Sequence, residues 1–230
     1  MNYYFKNIIR GVTQVLEVVI LTINPELTQN EFDKLMPLVC SERQERIKQF
    51  RFFQDARNCL LGDILARNEI CRTTGLGNNQ LEFSANAYGK PFLVNSSYVH
   101  FNVSHSGRYV ACAVANEPVG IDIEIIKPIE LKIAERFFTP DEVTYVMNDN
   151  YTFRFYEVWT KKESRIKWEG KGLSKPLTSF SVFDSDEQEA ITYHKGFQNE
   201  EAICHICTTE KTPPSVKVIN ITSFIRSAMQ

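Results

Sequence analysis

The chain is 230 residues long, enough for one large domain or two small ones with cores of their own. Hydrophobic residues at 43% and charged residues at 23% are ordinary values for a soluble globular protein. With 26 basic and 28 acidic side chains the formal net charge is −2, which excludes a global basic field of the kind that holds nucleic acid, so any anion site has to be built locally.

At the start, Lys6 and Arg10 precede an apolar stretch, but Glu17 interrupts it and Asn24-Pro25 stands where a signal cleavage site would need small residues. No run approaches the roughly 18 apolar residues of a membrane span. The expectation is a cytoplasmic protein with no membrane partner. Val15–Ile23, rich in β-branched residues, predicts a strand that ends in a turn at Asn24-Pro25. Ser41–Phe53 predicts a basic helix carrying Arg43, Arg46, Lys48 and Arg51. Asp55–Thr73, with apolar residues at Cys59, Leu60, Leu65 and Ile70, predicts a long buried helix that stops at Gly75. Tyr88-Gly89-Lys90-Pro91 reads as a turn, and Val99–Val103 and Tyr109–Ala115 as strands around a polar loop, Ser104–Gly107.

Asn116-Glu117-Pro118 is the plainest internal boundary, dividing an N-terminal half, 15–117, from a C-terminal half, 118–230. Val119–Ile126 predicts an alternating strand. Thr139-Pro140-Asp141-Glu142 opens a helix, with Thr139 as cap, proline in the first turn and Glu142 completing a capping box. Phe153–Trp168 predicts a second long helix, stopped by Gly170 and Gly172, and the remainder from Phe180 is strand-like. The pair Cys204 and Cys207 lies in an alternating run, Ala202–Thr208. It lacks the second ligand pair zinc would need and does not open a helix, so the six cysteines are expected to be free thiols. Each half offers strands packed on one long helix, and the fold class is α+β.

Three motifs carry chemistry. In Val119-Gly120-Ile121-Asp122-Ile123-Glu124 the strand period sends Asp122 and Glu124 to one face. Two carboxylates side by side repel unless something neutralises them, and a hard divalent cation is the obvious neutraliser; magnesium takes a few carboxylates and fills its other positions with water and phosphate oxygens. The plain alternative is a solvated strand face. In Trp159–Lys167, Glu163 and Lys167 are four apart on one helix face, either an ordinary ion pair or a third carboxylate beside a phosphate-binding lysine. In Phe101-Asn102-Val103-Ser104-His105-Ser106 neither serine is placed by local geometry for the histidine, and no nucleophile elbow is present. A loop of hydroxyls, amides and one imidazole suits a phosphate better.

Together with Gly89-Lys90-Pro91, these motifs in this order resemble the successive signatures of the 4′-phosphopantetheinyl transferase superfamily. Lys162-Glu163-Ser164 continuing to Glu169-Gly170-Lys171-Gly172-Leu173-Ser174 resembles its surfactin-synthetase-activating (Sfp-type) branch. The resemblance covers residues 15 to 210, leaving 1–14 as an N-terminal extension. It implies a monomeric pseudo-dimer of two similar α/β halves with coenzyme A in the cleft between them. It implies a transfer of the phosphopantetheine arm to a serine of an apo peptidyl or acyl carrier protein, releasing 3′,5′-ADP. Asp122, Glu124 and Glu163 would bind Mg2+ across the coenzyme A pyrophosphate. Lys167 would hold a phosphate oxygen, and Arg43, Arg46, Lys90, Ser104 and His105 would contact the nucleotide end. Glu163 is the candidate base, directly or through a metal-bound water, and Glu142 matches a position near that water although it also suits a cap. Residues 170–195 would meet the carrier, whose acidic surface suits an apolar patch edged by lysine. One departure stands out: the resemblance puts a phosphate-binding arginine at position 58, where this chain has Asn58 preceded by Arg57, a rotation of about 100° on a helix. The competing readings are a metal-dependent nucleotide pyrophosphohydrolase using the same carboxylates and a carrier-binding module without catalysis.

Overall fold

The computed structural model describes residues 15–184 and 190–229, so the extension expected at 1–14 lies outside them. In chain order the elements are β1 (Leu16–Thr22), α1 (Gln29–Leu35), α2 (Ser41–Lys48), α3 (Phe53–Thr74), β2 (Phe83–Ala85), β3 (Pro91–Leu93), β4 (His100–Ser106) and β5 (Tyr109–Ala115). They continue with β6 (Val119–Ile125), α4 (Lys132–Phe137), α5 (Pro140–Val146), α6 (Tyr151–Glu169), β7 (Thr192–Gln198), β8 (Ala202–Thr208), β9 (Ser215–Asn220) and α7 (Ile221–Ala228). The class is α+β. One sheet runs β4-β5-β1-β9, a second runs β6-β8-β7, and β2 and β3 form a short ribbon.

The period-two pattern explains how the two sheets meet. In β1, Val19 and Leu21 enter the core beneath α3, while Leu16, Val18 and Ile20 face the second sheet. A strand buried on both faces reads as a continuous apolar run, as this one does. In β5, Val110, Cys112 and Val114 go to the α3 side, and Ala111, Ala113 and Ala115 go to the seam. Those alanines let the second sheet approach, presenting Val119, Ile121 and Ile123 of β6 and Ala202, Cys204 and Ile206 of β8. Cys204 and Cys207 are three apart on β8 and point to opposite faces, neither in a disulfide. A third core lies under α6, where Phe155, Val158 and Ile166 pack with Phe138, Leu177 and Phe180.

Three elements differ from the sequence expectation. Helix α2 ends at Lys48 rather than Phe53, because only Ile47 gives it a buried anchor. Strand β4 continues through Ser106, turning the expected loop into sheet. The strand-like tail ends in a helix: Asn220 caps α7 by accepting the Ser223 N–H at 2.9 Å, and Ile221, Phe224, Ile225 and Ala228 form a stripe at helical spacing. Although they follow residue 118, β9 and α7 complete the first sheet, with β9 parallel to β1. No helix among the described residues is long and apolar enough to cross a membrane.

The second sheet contains a buried imidazole. His205, on β8, is 2% exposed and shares a 2.7 Å hydrogen bond with Thr160 of α6, whose hydroxyl donates to the Tyr156 carbonyl. Burial, aided by the Lys161 charge, pushes its pKa from 6.5 down to about 3. The unfolded chain therefore takes up a proton below pH 6.5 that the folded chain refuses, and stability falls as the solution is acidified. Between pH 6.5 and 5 this one group should remove on the order of 2 kcal/mol. Urea titrations of the wild type and His205→Gln over that range are expected to show a shallower loss in the variant, and parallel losses would refute the assignment.

Candidate active site

Strand β4 edges the first sheet and β6 edges the second, and side chains join them. The Ile121 N–H donates to Asn102 Oδ1 at 2.9 Å, that of Ile123 to Ser104 Oγ at 3.3 Å, and that of Ile125 to Ser106 Oγ at 3.2 Å. Both strands advance by two at each rung, so the polar face of β4 satisfies the edge amides of β6. The serine hydroxyls in turn donate to the carboxylates that alternate with those isoleucines: Ser104 to Asp122 Oδ1 at 2.9 Å and Ser106 to Glu124 Oε2 at 2.6 Å. The serines expected to cradle a phosphate therefore hold the carboxylates. His105, between them, takes the opposite face of β4. Ser106 and Asn102 were not singled out as site residues; the legible signal was polar residues at period two beside a D-x-E strand.

Helix α6 lies across the same face of β6. The contact is possible because position 120 is glycine: a Cβ there would sit 2.0 Å from the Ser164 carbonyl oxygen and 2.3 Å from the Trp168 nitrogen. This approach brings Lys167 to Asp122 Oδ1 at 2.7 Å and to Ser104 Oγ at 2.8 Å, and puts Glu163 within the field of Asp122. Burial and the Asp122 charge raise the pKa of Glu124 to about 7, and the same causes, opposed by Lys167, raise that of Glu163. Asp122 is 3% exposed, and its Oδ2 is buried with no hydrogen-bond partner among the described residues.

Among the described residues no three histidine, cysteine or carboxylate groups form a ready-made metal cage. The donors nevertheless fit magnesium, which is usually held by one or two carboxylates with waters and substrate phosphates. An unpartnered buried carboxylate oxygen, two mutually repelling neighbours and an ammonium already drawn to Asp122 all mark a place that favours positive charge.

On the other face of β4 a cleft of about 550 Å³ opens between α2, α3 and the β2–β3 ribbon, lined among others by Arg43, Arg46, Cys59, Arg67, Phe101 and His105. Arg43 lies 3.6 Å from Asp63, and its Nε is buried without a hydrogen-bond partner among the described residues. Burial and the Lys167 charge lower the pKa of His105, so a neutral imidazole faces this cleft. The structure thus gathers Arg43, Arg46 and His105 on one side of β4 and Asp122, Glu124, Glu163, Lys167 and Ser104 on the other.

Two expected residues are engaged elsewhere. Lys90 Nζ donates to the backbone carbonyls of Val119 at 3.1 Å and Trp168 at 3.2 Å, and burial lowers its pKa to about 8. It joins the 86–90 turn to the C-terminal half. Glu142 is fully buried: its carboxylate pairs with Lys162 Nζ at 2.8 Å and accepts the N–H groups of Thr139 and Val182. The capping box is formed. Lys162 also donates to the carbonyls of Leu177 and Phe180. The next residue along α6, Glu163, faces β6 instead. In the 170–195 segment, Leu177, Phe180 and Val182 are buried, Phe183 is exposed against Tyr145, and 185–189 lie outside the described residues.

Residues 24–117 match the family model described as 4′-phosphopantetheinyl transferase, N-terminal, and 118–222 match that of the 4′-phosphopantetheinyl transferase superfamily. The chain is 42% identical over 191 residues to the 4′-phosphopantetheinyl transferase Sfp of Bacillus subtilis strain 168, covering 81% of this chain and 84% of that protein. It is 46% identical over 159 residues to the transferase ffp of Bacillus subtilis, covering 68% and 71% respectively. It is 36% identical over 182 residues to the transferase gsp of Aneurinibacillus migulanus, covering 78% and 76%.

Proposed function

The chain belongs to the 4′-phosphopantetheinyl transferase superfamily and transfers phosphopantetheine from coenzyme A to carrier proteins, and we propose that the two faces of β4 divide that work. The cleft face holds the nucleotide end of coenzyme A, with Arg43 and Arg46 on phosphate and neutral His105 as a hydrogen-bond partner. On the carboxylate face, Asp122, Glu124 and Glu163 hold Mg2+, which when bound offsets the pyrophosphate charge and favours attack at phosphorus. Lys167, already held between Asp122 and Ser104, donates to a phosphate oxygen and steadies the departing 3′,5′-ADP.

The carrier serine Oγ forms a bond to the β-phosphorus of coenzyme A as the bond from that phosphorus to the bridging oxygen of 3′,5′-ADP breaks. The serine proton goes to a carboxylate oxygen of Glu163, which α6 holds on the same face as Lys167. Glu142 serves as a structural anchor, since Lys162, Thr139 and Val182 occupy it. Phe183, exposed against Tyr145 within the 170–195 segment, offers the carrier an apolar contact. The observation that carries this reading is the pair of hydroxyl-held, mutually repelling carboxylates across one strand from an arginine-lined cleft. Purified protein with Mg2+ and coenzyme A is expected to add the phosphopantetheine mass to an apo carrier, read by intact-protein mass spectrometry. The reading is falsified if a panel of apo peptidyl and acyl carriers all stay unmodified.

A further inference from the structure

We propose that Arg57, which does not enter the cleft, positions the metal-binding carboxylates by fixing the Gly107 turn so that Ser106 holds Glu124. The inference rests on the assignment of Glu124 to the metal site. Arg57 is 2% exposed. Its Nη2 donates to the Gly107 carbonyl at 3.0 Å, its Nε to Asn58 Oδ1 at 3.1 Å, and its Nη1 pairs with Glu26. Asn58 Nδ2 donates to the same Gly107 carbonyl at 3.0 Å. The one-residue displacement of the arginine thus takes the guanidinium away from the cleft and puts it beneath the β4–β5 turn, where two donors from the start of α3 converge on one oxygen.

That turn is the end of the ladder that holds the carboxylates. Gly107 has φ +55°, and a Cβ on it would lie 2.9 Å from Ile125 Cδ1, so the turn rests directly on the end of β6. Ser106 precedes it, accepting the Ile125 N–H and donating to Glu124. The Ile23 N–H holds the following carbonyl, that of Arg108, at 2.8 Å. Glu124 is repelled by Asp122 and partly buried, and the hydroxyl of Ser106, its hydrogen-bond donor at 2.6 Å, together with the Lys167 charge, favours its present orientation. Loosening the turn frees Ser106 and lets Glu124 rotate away, while Arg43, Arg46 and His105 on the opposite face of β4 stay as they are.

The test uses the full chain with Arg57→Lys, which keeps the charge but not the fork, Ser106→Ala, and both together. Mn2+ binding is measured by calorimetry without coenzyme A, 3′,5′-ADP binding separately without metal, and Ile125 amide exchange by NMR. Each single variant is expected to weaken Mn2+ binding about tenfold, as loss of an outer hydrogen-bond partner to a metal ligand does. The double variant should be no weaker than the worse single by more than about twofold, because both act through one contact. Affinity for 3′,5′-ADP should stay within about twofold, and Ile125 exchange should quicken in both singles. Unchanged Mn2+ affinity in either single variant overturns the proposal, as does an Arg57→Lys variant that loses 3′,5′-ADP instead. Should Arg57→Lys fail to fold, Ser106→Ala decides alone. A wild type that binds no Mn2+ removes the metal assignment itself, which the wild-type control tells apart from a failed latch.

Discussion

Asp122→Asn is expected to lower transfer by on the order of a thousandfold while leaving the thermal midpoint close to, or above, that of the wild type. The two expectations come from the same geometry. Asp122 is 3% exposed, accepts from Ser104 and Lys167 through Oδ1, and leaves Oδ2 buried without a hydrogen-bond partner among the described residues. A buried carboxylate oxygen with no donor costs free energy, and so does its repulsion of Glu124 and Glu163. Asparagine keeps an acceptor where Oδ1 stands and removes the charge. Glu124 and Glu163 then ionise more readily, because the Asp122 charge is among the causes that hold their pKa values up. The residue therefore contributes little net stability, and its charge is useful only when a cation and a phosphate share it, the usual mark of a site that trades stability for activity. Turnover at saturating coenzyme A and Mg2+, set beside a melting curve, separates the outcomes. Turnover within tenfold of wild type would sink the metal assignment, and a collapse of the melting midpoint would make Asp122 a structural residue instead.

Much of this arrangement was legible in the sequence, and the parts that were not share a physical cause. The long helices α3 and α6 and the strand β6 could be read because apolar periodicity and end signals are local, as at Gly75 and Gly170, whose positive φ values of 73° and 67° close the helices. The facing of Asp122 and Glu124 follows from strand period alone. What local pattern does not report is where polar groups find their partners. Ser104 and Lys90 look free for a ligand, yet one is drawn to Asp122 and Lys167 and the other to two backbone carbonyls. Glu142 suits both a cap and a catalyst by its position, and the structure shows it paired with Lys162 and bonded to the cap residue Thr139. Arg57 is the sharpest case, since its partner is a carbonyl 50 positions away. No local pattern reports which distant backbone group lacks a donor, although the need to satisfy every buried group guarantees that some side chain will supply one.

Gly120→Ala is expected to cost about 3 kcal/mol in urea unfolding and to remove most of the transfer activity with it. The added carbon would stand 2.0 Å from the Ser164 carbonyl oxygen, 2.3 Å from the Trp168 nitrogen and 3.0 Å from the Lys167 carbonyl carbon, all of them backbone atoms of α6. No side chain can turn aside, so relief requires the helix itself to lift from β6. That helix carries Glu163 and Lys167, which flank the point of contact, and its movement would draw both from Asp122 together. Gly172→Ala is the control. Gly172 also has a positive φ of 57°, but nothing among the described residues lies within 4 Å of its would-be Cβ, so only the left-handed backbone is penalised, by roughly 1 kcal/mol. A Gly120 variant that unfolds with the wild type would show that α6 does not rest on β6 at this point. A variant that loses stability but keeps full turnover would separate the helix contact from the chemistry. The expected joint loss follows from a single atom's width: the glycine that lets helix and strand touch is also what sets the third carboxylate and the lysine beside the first two.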